Sequence, residues 1–232
     1  MITITAFKWV PPFARGLVRD LRVRWALEEA GIPYRVRLID PEVQRSAAYR
    51  SWQPFGQVPA LEEDGRVMFE SGAILLAIAE RSEVLLPRDP VERQRAITWL
   101  FAALNSIEQR IQQLTEIDLF NAGREWTKER RPEVEEALEL RLAELGAWLG
   151  SREYLEERFT VGDLMMTTVL RIPRHVDIIE RHPRLAAYKA RCEARPAFKR
   201  ALAAHMGDFV PDGALPLSLD RATNGRSGDA AR

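Results

Sequence analysis

Between Pro87 and Pro90 the chain changes character, and that change limits the fold more than any other feature. Before it, short β-branched and aromatic runs alternate with helical patterns. After it, every periodic segment repeats at helical spacing. Ile97, Leu100, Leu104, Ile107, Ile111 and Leu114 follow one another at steps of 3, 4, 3, 4 and 3, the stripe of a long amphipathic helix, and Val134, Leu138, Leu142, Leu145 and Leu149 repeat the signal. Two such stripes have to bury against each other and against later helices, so the second half is expected to be a helical bundle.

The first half has a different grammar. Residues 2–7, ITITAF, suit a short strand, and Pro11-Pro12 then impose an extended or turning segment. Leu17, Leu21, Trp25 and Ala26 recur on one face of a helix that Gly31 is placed to end. Arg19, Arg22, Arg24 and Glu28 fall on the other face, expected to be solvated. Tyr34 to Ile39 reads as a second strand, and residues 41–56 as an irregular stretch with one short helix. Gln57 to Leu61 and Val67 to Phe69 read as strands around a hairpin signalled by Asp64-Gly65, and helix resumes at Ser71. The order is β-α-β, a loop, then β-β-α. The expected division is residues 1–84, a linker at 85–90, a helical domain at 91–210 and a disordered tail at 211–232.

In the helical half, Thr160-Val161-Gly162-Asp163 has the form of a capping box with Asp in the acidic position, and Phe159 and Leu164 stand where a hydrophobic staple would. Pro173 is expected to end or kink that helix, and Pro183 and Pro196 to open the next two.

Composition narrows the function. With 34 Lys and Arg against 34 Asp and Glu in 232 residues, there is no basic excess to attract nucleic acid or an anionic membrane. The longest uncharged apolar run, Gly72 to Ala79, is far short of a membrane span, and Lys8, Pro11 and Pro12 interrupt any leader-like stretch. A cytoplasmic protein is expected. His175, His182 and His205 have no metal-ligand spacing and are read as surface or packing residues. The single cysteine, Cys192, is read as a partly buried structural thiol; with no CxxC, dithiol chemistry is excluded.

The chemistry lies in Gln57 to Gly72, QVPALEEDGRVMFESG. This window resembles the glutathione-binding signature of the glutathione S-transferase superfamily, a Val-Pro-x-Leu strand followed by a hairpin and an acid-Ser pair that opens a helix. Trp52 to Gly56 resembles the lead-in to that strand, and Thr160 to Asp163 the capping motif of the helical domain. The resemblance covers about residues 1–206. It implies a thioredoxin-like α+β domain with a cis Val58-Pro59 bond, followed by the all-helical domain, in a homodimer.

It also implies a ligand site built from Gln57, Val58, Pro59, Glu70 and Ser71. Glutathione, as substrate, would add an edge strand along the Val58 main chain, while its γ-glutamyl carboxylate meets the helix N-terminus and the Ser71 hydroxyl, and Glu70 balances the ligand's ammonium. The implied reaction is attack of the glutathione thiolate on an electrophilic small molecule. The second reading is a non-catalytic glutathione- or protein-binding module of the same fold. Asn105 and Arg110 are candidates to line the second substrate's pocket.

Family members support the thiolate with a Tyr, Ser or Cys between the first strand and helix, and this chain has none there. Aligned on Val23 to Gly31, the catalytic tyrosine of the alpha, mu and pi classes falls opposite Phe13. Arg19 falls opposite an arginine that assists the thiolate in the alpha class. Arg19 is therefore the catalytic candidate, with main-chain N–H groups in Pro12 to Gly16 as the alternative.

Overall fold

The structure, a computed structural model, describes residues 1–211. The tail expected at 211–232 lies, all but Pro211, outside them.

Four strands make one mixed sheet in the order β2-β1-β3-β4: β1 is Ile2–Phe7, β2 Tyr34–Ile39, β3 Leu61–Glu63 and β4 Arg66–Met68. β1 runs parallel to β2, with Ile2 opposite Tyr34, and antiparallel to β3, with Ile4 opposite Leu61. The parallel pair needs a crossover, which α1, Asp20–Ala30, supplies. β3 and β4 form the expected hairpin. Asp64 and Gly65 both have positive φ, 53° and 80°, the backbone a two-residue hairpin loop demands and the reason for Asp-Gly there.

Strand β3 begins at Leu61, four residues later than the sequence suggests, because Gln57 to Ala60 are occupied by a turn with a cis Val58-Pro59 bond. Only the end of that turn still pairs with β1, through Thr5 N–H donating to Ala60 C=O at 2.9 Å. Short helices α2 (Pro41–Arg45) and α3 (Ala47–Arg50) fill the irregular stretch, and α4 (Ser71–Ala79) packs on α1.

The connection that follows is anchored: Leu85 and Leu86 are buried, and Val161 N–H donates to Leu85 C=O at 2.8 Å. Beyond it, α5 (Pro90–Ala102) continues through a π-helical turn, Ala103–Glu108, into α6 (Gln109–Thr115) and a second π turn, Glu116–Phe120. Helices α7 (Glu125–Leu149), α8 (Val161–Leu170), α9 (Pro183–Glu193) and α10 (Pro196–Gly207) complete the bundle. The α7 stripe is buried as its spacing requires. The capping box at the start of α8 is formed, with Asp163 accepting from Thr160 N–H at 2.9 Å and the Thr160 hydroxyl accepting from Gly162 N–H at 3.2 Å.

α1 is covered on both sides, by the sheet and α4 in front and by α8 and α10 behind. Trp25 is fully buried, its ring 4.8 Å from Phe198 and 5.7 Å from Phe159. This corrects the expectation of a solvated outer face for that helix. Arg22 and Arg24 are 3% and 1% exposed. Each is buried with carboxylates, Arg22 against Glu108 and Arg24 against Asp20 and Asp208, as a charge inside a protein requires. Cys192 is fully buried rather than partly, and that burial pushes its thiol up to about 12, leaving it un-ionised.

Candidate functional site

The cis-proline turn, the N-terminus of α4 and the start of α1 converge on a cavity of about 280 Å³, bordered across the cleft by the first π turn. Gln57, Val58, Pro59, Glu70, Ser71 and Arg19 all line it. Residues far apart in the chain thus meet at one surface. Asn105, expected in the second substrate's pocket, lines this cavity and not the apolar one beside it, and Arg110 lines neither.

The turn is held from behind. Tyr49, buried on α3, donates its hydroxyl to Gln57 C=O at 2.6 Å and lies 2.9 Å from the Thr5 hydroxyl, which accepts from Ala60 N–H at 2.8 Å. These bonds fix the backbone on either side of Val58 and Pro59. Among the described residues, no hydrogen bond engages the main-chain N–H or C=O of Val58, so both remain available to a ligand. Glu70, directly before α4, has φ 68°, a strained value for a non-glycine residue, and delivers the chain into the helix so that Ser71 faces the cavity. The free N–H groups of the first turn of α4 and the Ser71 hydroxyl together form an anion-binding corner.

Arg22 and Glu108 complete the site, and sequence reasoning missed both. An Arg22 guanidinium N–H donates to the Ser71 hydroxyl at 3.3 Å and another to Glu108 Oε1 at 2.9 Å. Arg19 sends two N–H groups to the same oxygen, at 3.2 and 2.9 Å. Burial pushes the Glu108 carboxyl up, but the charges and hydrogen bonds of Arg22 and Arg19 outweigh it and hold its pKa below the usual carboxylate range. With Glu70 also in the lining, two guanidiniums face two carboxylates, and the Arg19 and Arg22 charges gather on the Glu108 side of the cleft. Arg19 stays 43% exposed, with N–H groups left over from its pair.

A signal for each was present in the sequence. Arg22 lies one helical turn after Arg19 and so shares its face. Glu108 follows Ile107 in an otherwise apolar stripe, and the wide π turn lets both side chains be buried.

Next to this cavity lies a smaller one of about 160 Å³, with a wall of Phe13, Leu17, Leu119, Phe120 and Ile172. Phe13 and Phe120 meet edge to face at 5.8 Å. Arg19, Arg22 and Glu108 border both cavities, so the polar site opens on an apolar one at the arginine pair.

Residues 21–81 match the sequence model for the N-terminal domain of glutathione S-transferase. A glutathione transferase family member from Pseudomonas fluorescens, solved with two glutathione molecules bound, superposes with a TM-score of 0.73 at 26% identity, covering 87% of this chain and 92% of that one. Residues 21–81 thus carry that family's N-terminal domain, and the chain resembles glutathione S-transferases over most of its length. Glutathione transferase F7 of Populus trichocarpa shares the fold, with a TM-score of 0.75 at 21% identity over 89% of this chain and 99% of its own. Glutathione S-transferase F14 of Arabidopsis thaliana is 24% identical over 84% of each chain. The tetrachloro-p-hydroquinone reductive dehalogenase of Sphingobium chlorophenolicum is 26% identical over 78% of this chain and 90% of its own. The chain departs from the superfamily's usual pattern in having no Tyr, Ser, Cys or Thr between residues 8 and 19.

Proposed function

We propose that the cleft binds glutathione and presents its ionised thiol to an electrophilic small molecule held in the apolar cavity. The observation that carries this reading is the junction of a polar, charged cavity with an apolar one at Arg19. Glutathione laid along Val58 pairs with a free main-chain N–H and C=O. Its γ-glutamyl carboxylate meets the α4 N-terminus, the Ser71 hydroxyl and, behind it, the Arg22 guanidinium. Glu70 balances the ammonium group. The cysteinyl sulfur then lies at the junction of the cavities. Its proton leaves to solvent, and the thiolate attacks the electrophilic carbon, forming a C–S bond as the leaving group departs with its electron pair.

Arg19 supports the thiolate. The main-chain alternative is weakened, because the N–H groups of Ala14, Arg15 and Leu17 donate to the carbonyls of Pro11, Pro12 and Ala14, and that of Gly16 donates to His205. Relatives from Pseudomonas fluorescens and Burkholderia graminis with glutathione bound support the choice of ligand, and the dehalogenase supports including halogenated rings among the electrophiles. The division into residues 1–84, 85–90 and 91–210, a cytoplasmic location and a homodimer belong to the same reading. Among the described residues no helix is long and apolar enough to cross a membrane.

Calorimetric titration with glutathione, run beside turnover of a panel of electrophiles, tests the proposal; absence of binding overturns it. Binding without turnover favours the second reading, a non-catalytic glutathione- or protein-binding module. The observation on that side is Phe13, which offers no hydroxyl at the position where other classes carry their tyrosine.

A further inference from the structure

His205 lies on α10, 189 residues from Gly16, yet its imidazole is 1% exposed and both ring nitrogens are used on the segment that enters α1. Nε2 accepts from Gly16 N–H at 3.2 Å, which puts the ring proton on Nδ1, where it donates to Asp20 Oδ2 at 3.0 Å. One side chain of the helical half therefore brackets residues 16–20, and Arg19 sits inside the bracket.

The other groups around the ring hold it in place. Asp20 Oδ2 also accepts from Arg24 Nε at 2.8 Å, Arg24 pairs with Asp208 at 2.6 Å, and Phe209 stands edge-on to the imidazole at 5.0 Å. Two arginines that follow α8 grip the same loop. An Arg171 N–H donates to Gly16 C=O at 3.2 Å, and Arg174 donates to the carbonyls of Phe13 and Arg15 at 2.8 and 2.6 Å. Gly16 has φ 80° and both of its main-chain polar groups taken by the helical half. The loop's own bonds run from the N–H groups of Ala14, Arg15 and Leu17 to the carbonyls of Pro11, Pro12 and Ala14, and the contacts from the helical half fix how that turn is docked.

We propose that His205 is a positioning residue for the reaction: by tying Gly16 and Asp20 to α10, it sets where the Arg19 guanidinium stands relative to the bound thiol. This rests on the reading of the cleft as a glutathione site with Arg19 beside the sulfur. A residue that acts in this way changes the ionisation of bound glutathione without changing how tightly the peptide is held, because Val58, Glu70 and Ser71 are not touched.

The test measures, in the full-length protein, glutathione affinity by calorimetry and the pKa of the bound thiol by thiolate absorbance against pH. Wild type is compared with His205→Ala, His205→Gln, Arg174→Gln, Arg19→Ala and the double variant of His205→Ala with Arg19→Ala. In His205→Ala the affinity is expected to stay within about twofold of wild type. The thiol pKa should rise by about one unit toward the free value of about 8.5, with a loss of up to about tenfold in kcat and an unchanged KM for glutathione wherever turnover is seen. His205→Gln, which can still accept from Gly16, should recover part of the shift. Arg174→Gln, an exposed residue whose loss spares the core, should show a smaller shift of the same sign. With Arg19 already removed, deleting His205 should add no further shift.

An unchanged thiol pKa in His205→Gln and Arg174→Gln, with glutathione bound, overturns the proposal even where His205→Ala does not fold. An additive shift in the double variant also overturns it, since His205 would then not work through Arg19. If wild type binds no glutathione, the reading of the cleft itself fails, an outcome recorded before any variant is compared.

Discussion

Three guanidinium N–H groups converge on one oxygen of Glu108, and Arg22 has no solvent with which to replace that partner. Removing the carboxylate leaves a buried cation unpaired, which costs about 3–5 kcal/mol. Glu108→Gln should be destabilised on that scale near neutral pH. The sign with pH follows from the lowered carboxyl pKa: the contribution is complete above the ordinary carboxylate range and is lost as pH falls through the lower folded value. The stability gap between wild type and Glu108→Gln, measured by urea unfolding, should therefore be widest near pH 7 and narrow as pH falls below the ordinary carboxylate range. A gap that does not change with pH counts against the pairing. Ser71→Ala removes a hydroxyl from the anion-binding corner, and calorimetry should find glutathione affinity about 5- to 30-fold weaker, equivalent to about 1–2 kcal/mol. Unchanged affinity would remove Ser71 from the site.

α8 crosses α5 at close quarters. A Cβ on Gly162 would lie 2.6 Å from Trp99 Cβ and 3.1 Å from Ala96 C=O, so neither neighbour can give way by a simple side-chain rotation. Gly162→Ala should force the two helices apart and lower stability by about 1–3 kcal/mol, read as a drop in the urea midpoint at constant m-value. A wild-type midpoint would show that the contact is looser than described. The helices were legible in the sequence because their apolar periods are long and their caps local: Asp64-Gly65, Thr160 to Asp163, and the stripe from Val134 to Leu149 each need only near neighbours in the chain. Strand β3 was misplaced by four residues because Val58 and Ala60 look like strand residues, while the turn that removes them from the ladder depends on Tyr49 and Thr5 reaching it from elsewhere.

The sheet and the helical half share an apolar core, running from Ile2 and Ile4 through Trp25 to Phe198 and Ala201 of the last helices, with a separate small cluster of Ile39, Tyr49 and Val58 behind the cis-proline turn. Ion pairs from Arg195 to Glu29 and from Arg200 to Glu28 close the same seam at its edge. Halves joined in this way should unfold together, so tryptophan fluorescence and far-UV circular dichroism should give coincident urea transitions. The proposed homodimer should sediment at about twice the chain mass of 26.5 kDa at micromolar concentration, with a midpoint that rises with protein concentration. A single species of chain mass would exclude it.

From the sequence alone came the order of elements, the hairpin, the helical second half and the window from Gln57 to Ser71, since each is written in local spacing and turn chemistry. The tertiary structure decided what α1 does. Its arginines have the spacing of a solvated face, and no local rule says that a second half of the molecule will cover them. Once α8 and α10 pack there, desolvation requires every charge on that face to find a partner, and Glu108, Asp20, Asp208 and His205 come from three separate stretches of chain to supply it. Partner choice under desolvation depends on distances between residues up to 185 positions apart, which a sequence pattern does not contain.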